Sequence, residues 1–390
     1  MGMRPHRRLR ANQRRLHHLN VALWWEVVGT PDKPEAGYLS GINVLRGLLS
    51  LSVLLWHYQH FWIGPGDFDY TNQPWFAILG MPYTRGYDAV PIFWMVSGVV
   101  LANAYFTSLR HGRLRAYAWA RVARLYPLHI ITLIVVAILQ LLGQQAQIYG
   151  NNNLKHFALN ALFIPWWGFE DGYSFNAPIW SVSVEIPVYL AFALLIFKLR
   201  TTLRIWTAIC ALIAISILEI FGSELLGRIG IKTVFAECAM YFFAGVVISR
   251  LVRINSRLHA TVWTSVSLFL LVILGANSGN WLFGTSLVLS VLAIAVGPVL
   301  PPLNSRPLRM FGELTYSVFL WHIPIQIGMR WILIETGLEN EFFGSPLLLV
   351  AYVCVTYSIG YLSFNYVEEP LRRKIREHKV SVKQAASRAS

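Results

Sequence analysis

Long apolar stretches, separated by short segments that hold most of the charged residues, dominate this 390-residue sequence. Ten of them have about 17 to 25 mainly apolar residues, the length that a helix needs to cross the hydrocarbon core of a bilayer. They cover 42–62, 87–106, 125–143, 178–198, 205–221, 233–249, 260–275, 281–298, 312–334 and 346–367. Because a segment in lipid must satisfy its own backbone hydrogen bonds, each is predicted to be a helix. The sequence therefore predicts an all-α polytopic membrane protein with about ten transmembrane helices.

The composition supports a bilayer rather than water as the main solvent. The chain is 55% hydrophobic and 13% charged, whereas soluble domains carry roughly 25% charged residues. The net charge of +14 would suggest nucleic acid as the partner of a soluble protein, but here the basic residues lie between apolar stretches, so no nucleic-acid partner is expected. The three cysteines lie inside apolar segments without CxxC spacing, and neither a metal site nor a disulfide framework is expected.

Lysine and arginine are concentrated in alternate connections. With the N-terminus inside, the inner segments hold 27 of the 33 basic residues and the outer connections hold 4, while Arg46 and Arg330 lie within predicted helices. The positive-inside rule then predicts that both termini are cytoplasmic. The predicted organisation is a basic N-terminal arm (1–41), a ten-helix transmembrane domain (42–367) and a basic tail (368–390).

Two shorter apolar segments are predicted not to cross the membrane. Segment 154–167 has about fourteen residues, too few for a span, and a crossing there would reverse the side of every later loop. We predict that it is an interfacial or re-entrant segment on the outer side, lying against the helix bundle. The segment LHHLNVALWWEVV of the N-terminal arm is predicted to be an amphipathic helix or a loosely ordered arm at the inner surface.

Ionisable residues inside predicted spans are costly and are therefore functional candidates. The first helix carries Arg46 and His57, whose spacing of eleven residues places them on one helical face, roughly 16 Å apart. Alone, Arg46 could be an anchor that snorkels to the inner interface, and His57 could be a core histidine with a satisfied hydrogen bond. Their shared face favours a common functional role.

The fourth helix carries Ser181 and Glu185 at positions i and i+4, and thus on one face. Glu185 is predicted to lie at nearly the depth of His57. A carboxylate there could fix the tautomer and the pKa of the imidazole, as a general base requires. A structural ion pair between helices is the alternative interpretation.

Arg121 and Arg124 lie three residues apart just before the third span. Two arginines at that spacing can offer forked donors to a phosphate. A topological anchor that follows the positive-inside rule explains them equally well.

Four further candidates lie near or inside other spans. Tyr316 and His322 fall in the ninth helix, where a structural hydrogen bond is as plausible for His322 as a catalytic role. Asp88 and Ser97 flank the start of the second helix, and Asp88 could cap that helix at the outer surface.

In order along the chain, these residues resemble the motifs of the acyltransferase-3 family of integral membrane O-acyltransferases. The matching segments are Arg46-x10-His57, Pro91 to Ser97-Gly98, Arg121-x-x-Arg124, Ser181-x3-Glu185, Tyr316-Ser317 to Trp321-His322, and Glu368-Glu369-Pro370. Pro91 stands where many members carry an acidic residue, which leaves Asp88 as the nearest carboxylate.

The resemblance implies transfer of an acyl group, commonly acetyl, from cytoplasmic acyl-CoA to a hydroxyl of a sugar, a polysaccharide or a related acceptor. It implies that Arg121 and Arg124 hold the phosphates of CoA and that Arg46 lies along the path of the thioester. His57 would accept the hydroxyl proton, with Glu185 orienting it and Ser181 as a secondary contact. The bacterial cytoplasmic membrane is the expected location.

A proton-coupled transporter or flippase is the alternative from another class, because buried His, Glu and Arg also form proton relays. That class would be favoured by inverted repeats with helices broken at matching positions. The sequence contains no such repeat.

Overall fold

The computed structural model describes residues 40–62, 69–221, 233–252, 256–275 and 281–374, and in these ranges the regular structure is helical, with no strand. The helices are α1 (Ser40–His57), α2 (Phe76–Arg85), α3 (Ala89–Arg110), α4 (Leu114–Leu142), α5 (Leu154–Ala161), α6 (Ile179–Leu199), α7 (Thr202–Phe221), α8 (Val234–Leu251), α9 (Arg257–Gly275), α10 (Trp281–Val299), α11 (Arg306–Glu313), α12 (Thr315–Glu335), α13 (Glu339–Phe342) and α14 (Pro346–Ser363). A π-helical turn (Phe364–Glu368) follows α14. The all-α prediction is confirmed for this part of the chain.

Each of the ten predicted apolar segments coincides with a helix. Seven helical stretches of the described ranges are long and apolar enough to cross a membrane: Phe76–Arg110, Leu114–Leu142, Ile179–Leu199, Val234–Leu251, Leu282–Val299, Thr315–Glu335 and Pro346–Lys374. The helices α1, α7 and α9 occupy the three other predicted positions. The number of spans and the side of the termini stay predictions.

The segment between α4 and α6 contains one α-helix, which is short, and a 3₁₀ turn (Gln144–Ala146). Helix α5 has eight residues, or about 12 Å at 1.5 Å per residue, which is too short to cross a bilayer. At the C-terminal end, helical residues continue to Lys374, beyond the predicted boundary at 367. The amphipathic segment predicted in the N-terminal arm and the last sixteen residues of the predicted tail lie outside the described residues.

Helix α1 packs against α3, α10, α11 and α12, so its polar residues face several neighbours. Helix α3 in turn crosses α8 at very short range. A Cβ on Gly98 would lie 1.9 Å from the carbonyl oxygen of Phe242, and one on Gly245 would lie 2.0 Å from that of Met95. Only glycine allows two membrane helices to approach so closely, which explains the glycine that follows Ser97.

Candidate active site

Two neighbouring cavities lie among α1, α3, α4, α6 and α12. The first has a volume of about 440 Å³, and its ionisable lining residues are Arg46, Tyr105, Arg121, Arg124, Glu185, Tyr189, Glu313, Tyr316, Glu369 and Arg372. The second has about 120 Å³ and is lined by rings and small residues that include His57, His60, Trp56, Tyr87, Tyr149, Tyr173 and Trp180. Seven of the ten predicted site residues, namely Arg46, Ser97, Arg121, Arg124, Ser181, Glu185 and Tyr316, line the first cavity.

Arg121 lies on α4, which begins at Leu114 and so includes the arginine pair that was expected just before the third span. Its Nη2 donates a hydrogen bond to the hydroxyl of Tyr105 at 3.1 Å, and its guanidinium lies 5.0 Å from the centre of that ring. Its buried Nε has no hydrogen-bond partner among the described residues. A buried donor without a partner costs free energy, so Arg121 is suited to bind an anion that enters the cavity.

Arg124 is engaged differently. It forms an ion pair with Glu368, whose side chain is 2% exposed, and its guanidinium lies 5.2 Å from the ring centre of Tyr316. Glu368 also accepts a hydrogen bond from Ser317 Oγ at 2.8 Å. The π-helical turn ends at Glu368, and such turns often occur at functional sites. The pair connects α4 to the end of α14, a contact that neither the phosphate-binding nor the anchor interpretation of Arg124 had included.

Arg46 lines the same cavity as the arginine pair. Its guanidinium makes no hydrogen bond or ion pair with any of the described residues. The carboxylates that interact with it electrostatically are Glu313 and Glu185. Arg46 therefore faces the first cavity with its donors available.

Glu185 and His57 do not make the direct contact that their similar depth suggested. The side chain of Glu185 accepts a hydrogen bond from Tyr189 and interacts with Ser97, and the hydroxyls of Tyr189 and Ser97 lie 3.4 Å apart. Glu185 lines the first cavity and His57 the second. Among the described residues no hydrogen bond joins Glu185 to His57, and the orientation of His57 by Glu185 stays a prediction without support from this geometry.

A backbone carbonyl orients His57 instead. His57 Nδ1 lies 2.8 Å from the carbonyl oxygen of Val53, one helical turn earlier. Because a carbonyl oxygen only accepts hydrogen bonds, Nδ1 carries the hydrogen and Nε2 of the neutral ring keeps a free lone pair. His57 thus has the tautomer of a proton acceptor, on a buried ring at the wall of the second cavity.

Two more histidines surround His57. The ring of His322 lies 4.7 Å from that of His57, centre to centre, and the ring of His60 lies 5.4 Å away. His322 Nδ1 donates to the carbonyl oxygen of Phe319 at 2.6 Å, and its Nε2 is buried without a partner in the described part of the chain. The hydroxyl of Tyr149 lies 3.4 Å from His60 Nε2. Among the described residues, no three His, Cys, Asp or Glu side chains are arranged to hold a metal ion.

One stripe of α12 holds the backbone that carries His57. His322, Gln326 and Arg330 follow each other at four-residue intervals on one face. Gln326 Nε2 donates to the carbonyl oxygen of His57 at 2.8 Å, and Arg330 Nε donates to that of Phe61 at 3.2 Å. Arg330 Nη1 also reaches two carbonyls of the connection after α4, at 3.3 and 3.2 Å. The intramembrane arginine at 330 therefore fixes the turn that follows His57.

Asp88 does not make the capping contact that the sequence suggested. It occupies the N-cap position of α3, but its side chain makes no capping hydrogen bond. It pairs instead with Arg85 at 3.0 Å, three residues earlier, and it lines neither cavity.

Sequence reasoning missed several residues of the two cavities. Tyr189 lies four residues after Glu185, and the i, i+4 rule that paired Ser181 with Glu185 would have found it. His60 lies beyond the end of α1 in a 3₁₀ turn, where helical periodicity gives no signal. Tyr105 and Arg372 reach the first cavity from the far ends of other helices, which only the packing determines.

The chain is similar to known acyltransferases. The family model described as "Acyltransferase domain" matches residues 39–364. The chain is 23% identical over 378 residues to the O-acetyltransferase OatA of Staphylococcus aureus, covering 86% of this chain and 58% of that protein. It is also 23% identical over 378 residues to the peptidoglycan O-acetyltransferase OatA of Listeria monocytogenes, covering 86% of this chain and 56% of that protein.

The chain thus spans little more than half the length of these relatives. No solved structure matches it. The family match covers most of the chain, including the motifs from Arg46 to His322 and all lining residues of the two cavities except Glu369 and Arg372. The protein therefore belongs to the acyltransferase-3 family of integral membrane O-acyltransferases.

Proposed function

We propose that this protein transfers an acyl group, with acetyl as the first candidate, from cytoplasmic acyl-CoA to a hydroxyl of a polysaccharide or related carbohydrate. The observation that carries the proposal is the adjacency of a cationic cavity and a histidine-lined cavity that share one wall. The names of the relatives support acetyl as the group and peptidoglycan-like carbohydrate as the acceptor class. The charge distribution supports a bacterial cytoplasmic membrane with both termini inside.

The first cavity suits the donor. CoA carries phosphates, and Arg121 and Arg46 offer cationic donors that protein carboxylates do not occupy. The unpartnered Nε of Arg121 would gain a charge-assisted hydrogen bond from a phosphate oxygen. Glu185, held by Tyr189 and Ser97, balances the charge of these arginines. On this proposal Glu185 serves the donor side, and Arg124 supports the cavity through its pair with Glu368.

The second cavity suits a hydroxyl acceptor. Its aromatic walls present apolar faces, and its histidines and tyrosines present hydrogen-bonding groups. Such a mixture of flat apolar surface and a few placed polar groups is typical of sites that bind small polar molecules. The acceptor hydroxyl would lie at Nε2 of His57.

The proposed step transfers one acyl group in a balanced exchange. The hydroxyl oxygen attacks the thioester carbonyl carbon and its proton passes to His57 Nε2; the new C–O bond forms, the C–S bond breaks, and the proton moves from His57 to the leaving CoA sulfur. His322, whose ring lies 4.7 Å away, would stabilise the transient imidazolium. Ser181 lies in the wall between donor and acceptor, with its hydroxyl donated to the carbonyl of Pro178 at 3.1 Å.

Binding of acetyl-CoA to the purified, detergent-solubilised protein tests the donor. We expect Arg121→Ala to weaken binding about 10- to 100-fold, because it removes charge-assisted hydrogen bonds to a phosphate. Dephospho-CoA competition would identify whether the 3′-phosphate is the group bound. The matched control is Arg115→Ala, which removes the same charge from an exposed site on the same helix that lines neither cavity.

Equal effects of the two substitutions would return Arg121 to a topological role. Failure of the folded wild-type protein to bind acetyl-CoA saturably would exclude the acyl-CoA donor, and the transporter interpretation would then take first place.

A second prediction concerns the α12 stripe. Gln326→Leu removes the buried hydrogen bond to the His57 carbonyl, and the loss of one such bond costs about 0.5–1.5 kcal/mol. We expect kcat to fall about tenfold with the KM for acyl-CoA unchanged, because the base shifts while the donor cavity does not. Gln140→Leu is the control, because Gln140 is buried as well but lines neither cavity, and its side-chain nitrogen has no partner among the described residues. A loss of kcat that is equal in both variants would contradict a positioning role for Gln326.

A further inference from the structure

The wall between the two cavities is formed by three residues that line both of them: Val90, Ser181 and Phe319. They come from three different helices, α3, α6 and α12. Any group that passes from the cationic cavity to the ring of His57 has to pass this wall.

Of these three side chains, Phe319 is the one that can change the opening. Val90 is buried, and a β-branched side chain in a helix is nearly restricted to one χ1 rotamer. The buried Ser181 is short and donates its hydroxyl to Pro178. Phe319 is only partly buried, and its ring can turn about two torsions.

Phe319 is also coupled to the histidines. Its carbonyl oxygen accepts the hydrogen bond of His322 Nδ1 at 2.6 Å, and its ring lies 5.8 Å from that of His322. The residue that closes the wall thus lies one helical turn from the ring that flanks His57.

The geometry points to Phe319 as the residue that limits the length of the acyl chain, an inference that rests on the proposed function. In the transfer step the carbonyl carbon forms a bond to the acceptor oxygen while its bond to the CoA sulfur breaks. That carbon must therefore lie at the wall, with sulfur in the first cavity and oxygen in the second. The carbon chain beyond it has to share the 120 Å³ cavity with the acceptor or displace the Phe319 ring. An acetyl group adds only a methyl there, whereas a longer chain meets the ring.

The consequence can be measured without the acceptor. The probes are CoA, acetyl-CoA and butyryl-CoA, and the readout is the dissociation constant of each for the full chain in detergent. We expect wild-type protein to prefer acetyl-CoA, and Phe319→Ala to lower the ratio of the butyryl-CoA to the acetyl-CoA constant about tenfold, because two further methylene groups become buried. The affinity for CoA itself, measured in parallel, is the reference that separates a general change of the donor cavity from an effect on chain length. Phe319→Leu, a milder truncation, should shift the ratio in the same direction.

The matched control is Phe235→Ala. Phe235 is a partly buried phenylalanine packed against the same core, but it lines neither cavity, so the ratio should stay at the wild-type value. An unchanged ratio in both Phe319 variants, with normal binding of CoA and acetyl-CoA, would overturn the role of Phe319 alone. Absence of CoA binding in the wild-type protein would instead overturn the proposed function.

Discussion

Replacing His57 by alanine is expected to lower acyl transfer about 10²- to 10⁴-fold, the usual contribution of a general base, and to leave acetyl-CoA binding unchanged. The reason is the separation of the two cavities. His57 lines the one without arginines, and its Nδ1 is committed to the Val53 carbonyl, so Nε2 is the nitrogen that can accept a proton. Release of free CoA thiol from acetyl-CoA, measured in membranes that contain the protein and the endogenous acceptor, gives the turnover.

The control for His57→Ala is His129→Ala. His129 is a fully buried histidine whose Nε2 contacts the carbonyl of Asn160 at 2.8 Å, and it lines neither cavity. If both variants lose transfer together with protein level in the membrane, the loss reflects folding. If His57→Ala loses acetyl-CoA binding, His57 belongs to the donor site and the assignment of the two cavities is reversed.

The helices were predictable because lipid offers no hydrogen-bond partners to the backbone. An apolar stretch that long has to satisfy its amide groups internally, and all ten stretches coincide with helices in the structure. Their ends were less predictable. Helix α4 begins at Leu114, about ten residues before the apolar stretch, because Arg and Tyr residues can extend a helix beyond the hydrocarbon without breaking it.

The grouping of the site was partly predictable from spacing. Ser181 and Glu185 share a helical face, and both line the first cavity with Arg46 and Arg121. The relation between Glu185 and His57 was not predictable in this way. Equal depth places two residues of different helices at the same level in the membrane. Whether their side chains point toward each other depends on how packing rotates α1 and α6 about their axes. Tyr189 lies on the same face of α6 as Glu185 and donates a hydrogen bond to its carboxylate.

The ion pair of Arg124 with Glu368 could not be predicted from the sequence for a similar reason. The two residues are 244 positions apart in the chain, and their motifs gave no reason to join them. The structure brings them together at a π-helical turn, with Ser317 and Tyr316 completing the contacts. Opposite charges in so buried a place stabilise a fold only as a pair, since removing one partner leaves the other uncompensated.

Glu368→Gln is therefore expected to destabilise the protein by about 3–5 kcal/mol, seen as a large fall in the apparent melting temperature in detergent. The control is the next residue. Glu369 pairs with Arg372 at 2.7 Å, but both side chains are partly exposed, 33% and 24%, and such pairs contribute about 0–1 kcal/mol. Glu369→Gln should thus change the melting temperature little. Replacing both partners, as Arg124→Met with Glu368→Leu, should recover much of the stability that Glu368→Gln loses.

The Glu368→Gln variant also decides the role of Arg124. The phosphate-binding and the supporting interpretation predict opposite changes in the affinity for acetyl-CoA. If Arg124 binds a phosphate, freeing it from Glu368 adds an available cation to the first cavity, and acetyl-CoA should bind more tightly to Glu368→Gln. If Arg124 supports the cavity wall, releasing it loosens the contact between α4 and the end of α14, and binding should weaken. We expect weakening, since Arg124 is held by both Glu368 and the ring of Tyr316 while Arg121 keeps an unpartnered nitrogen. Tighter binding would restore Arg124 to the donor site beside Arg121.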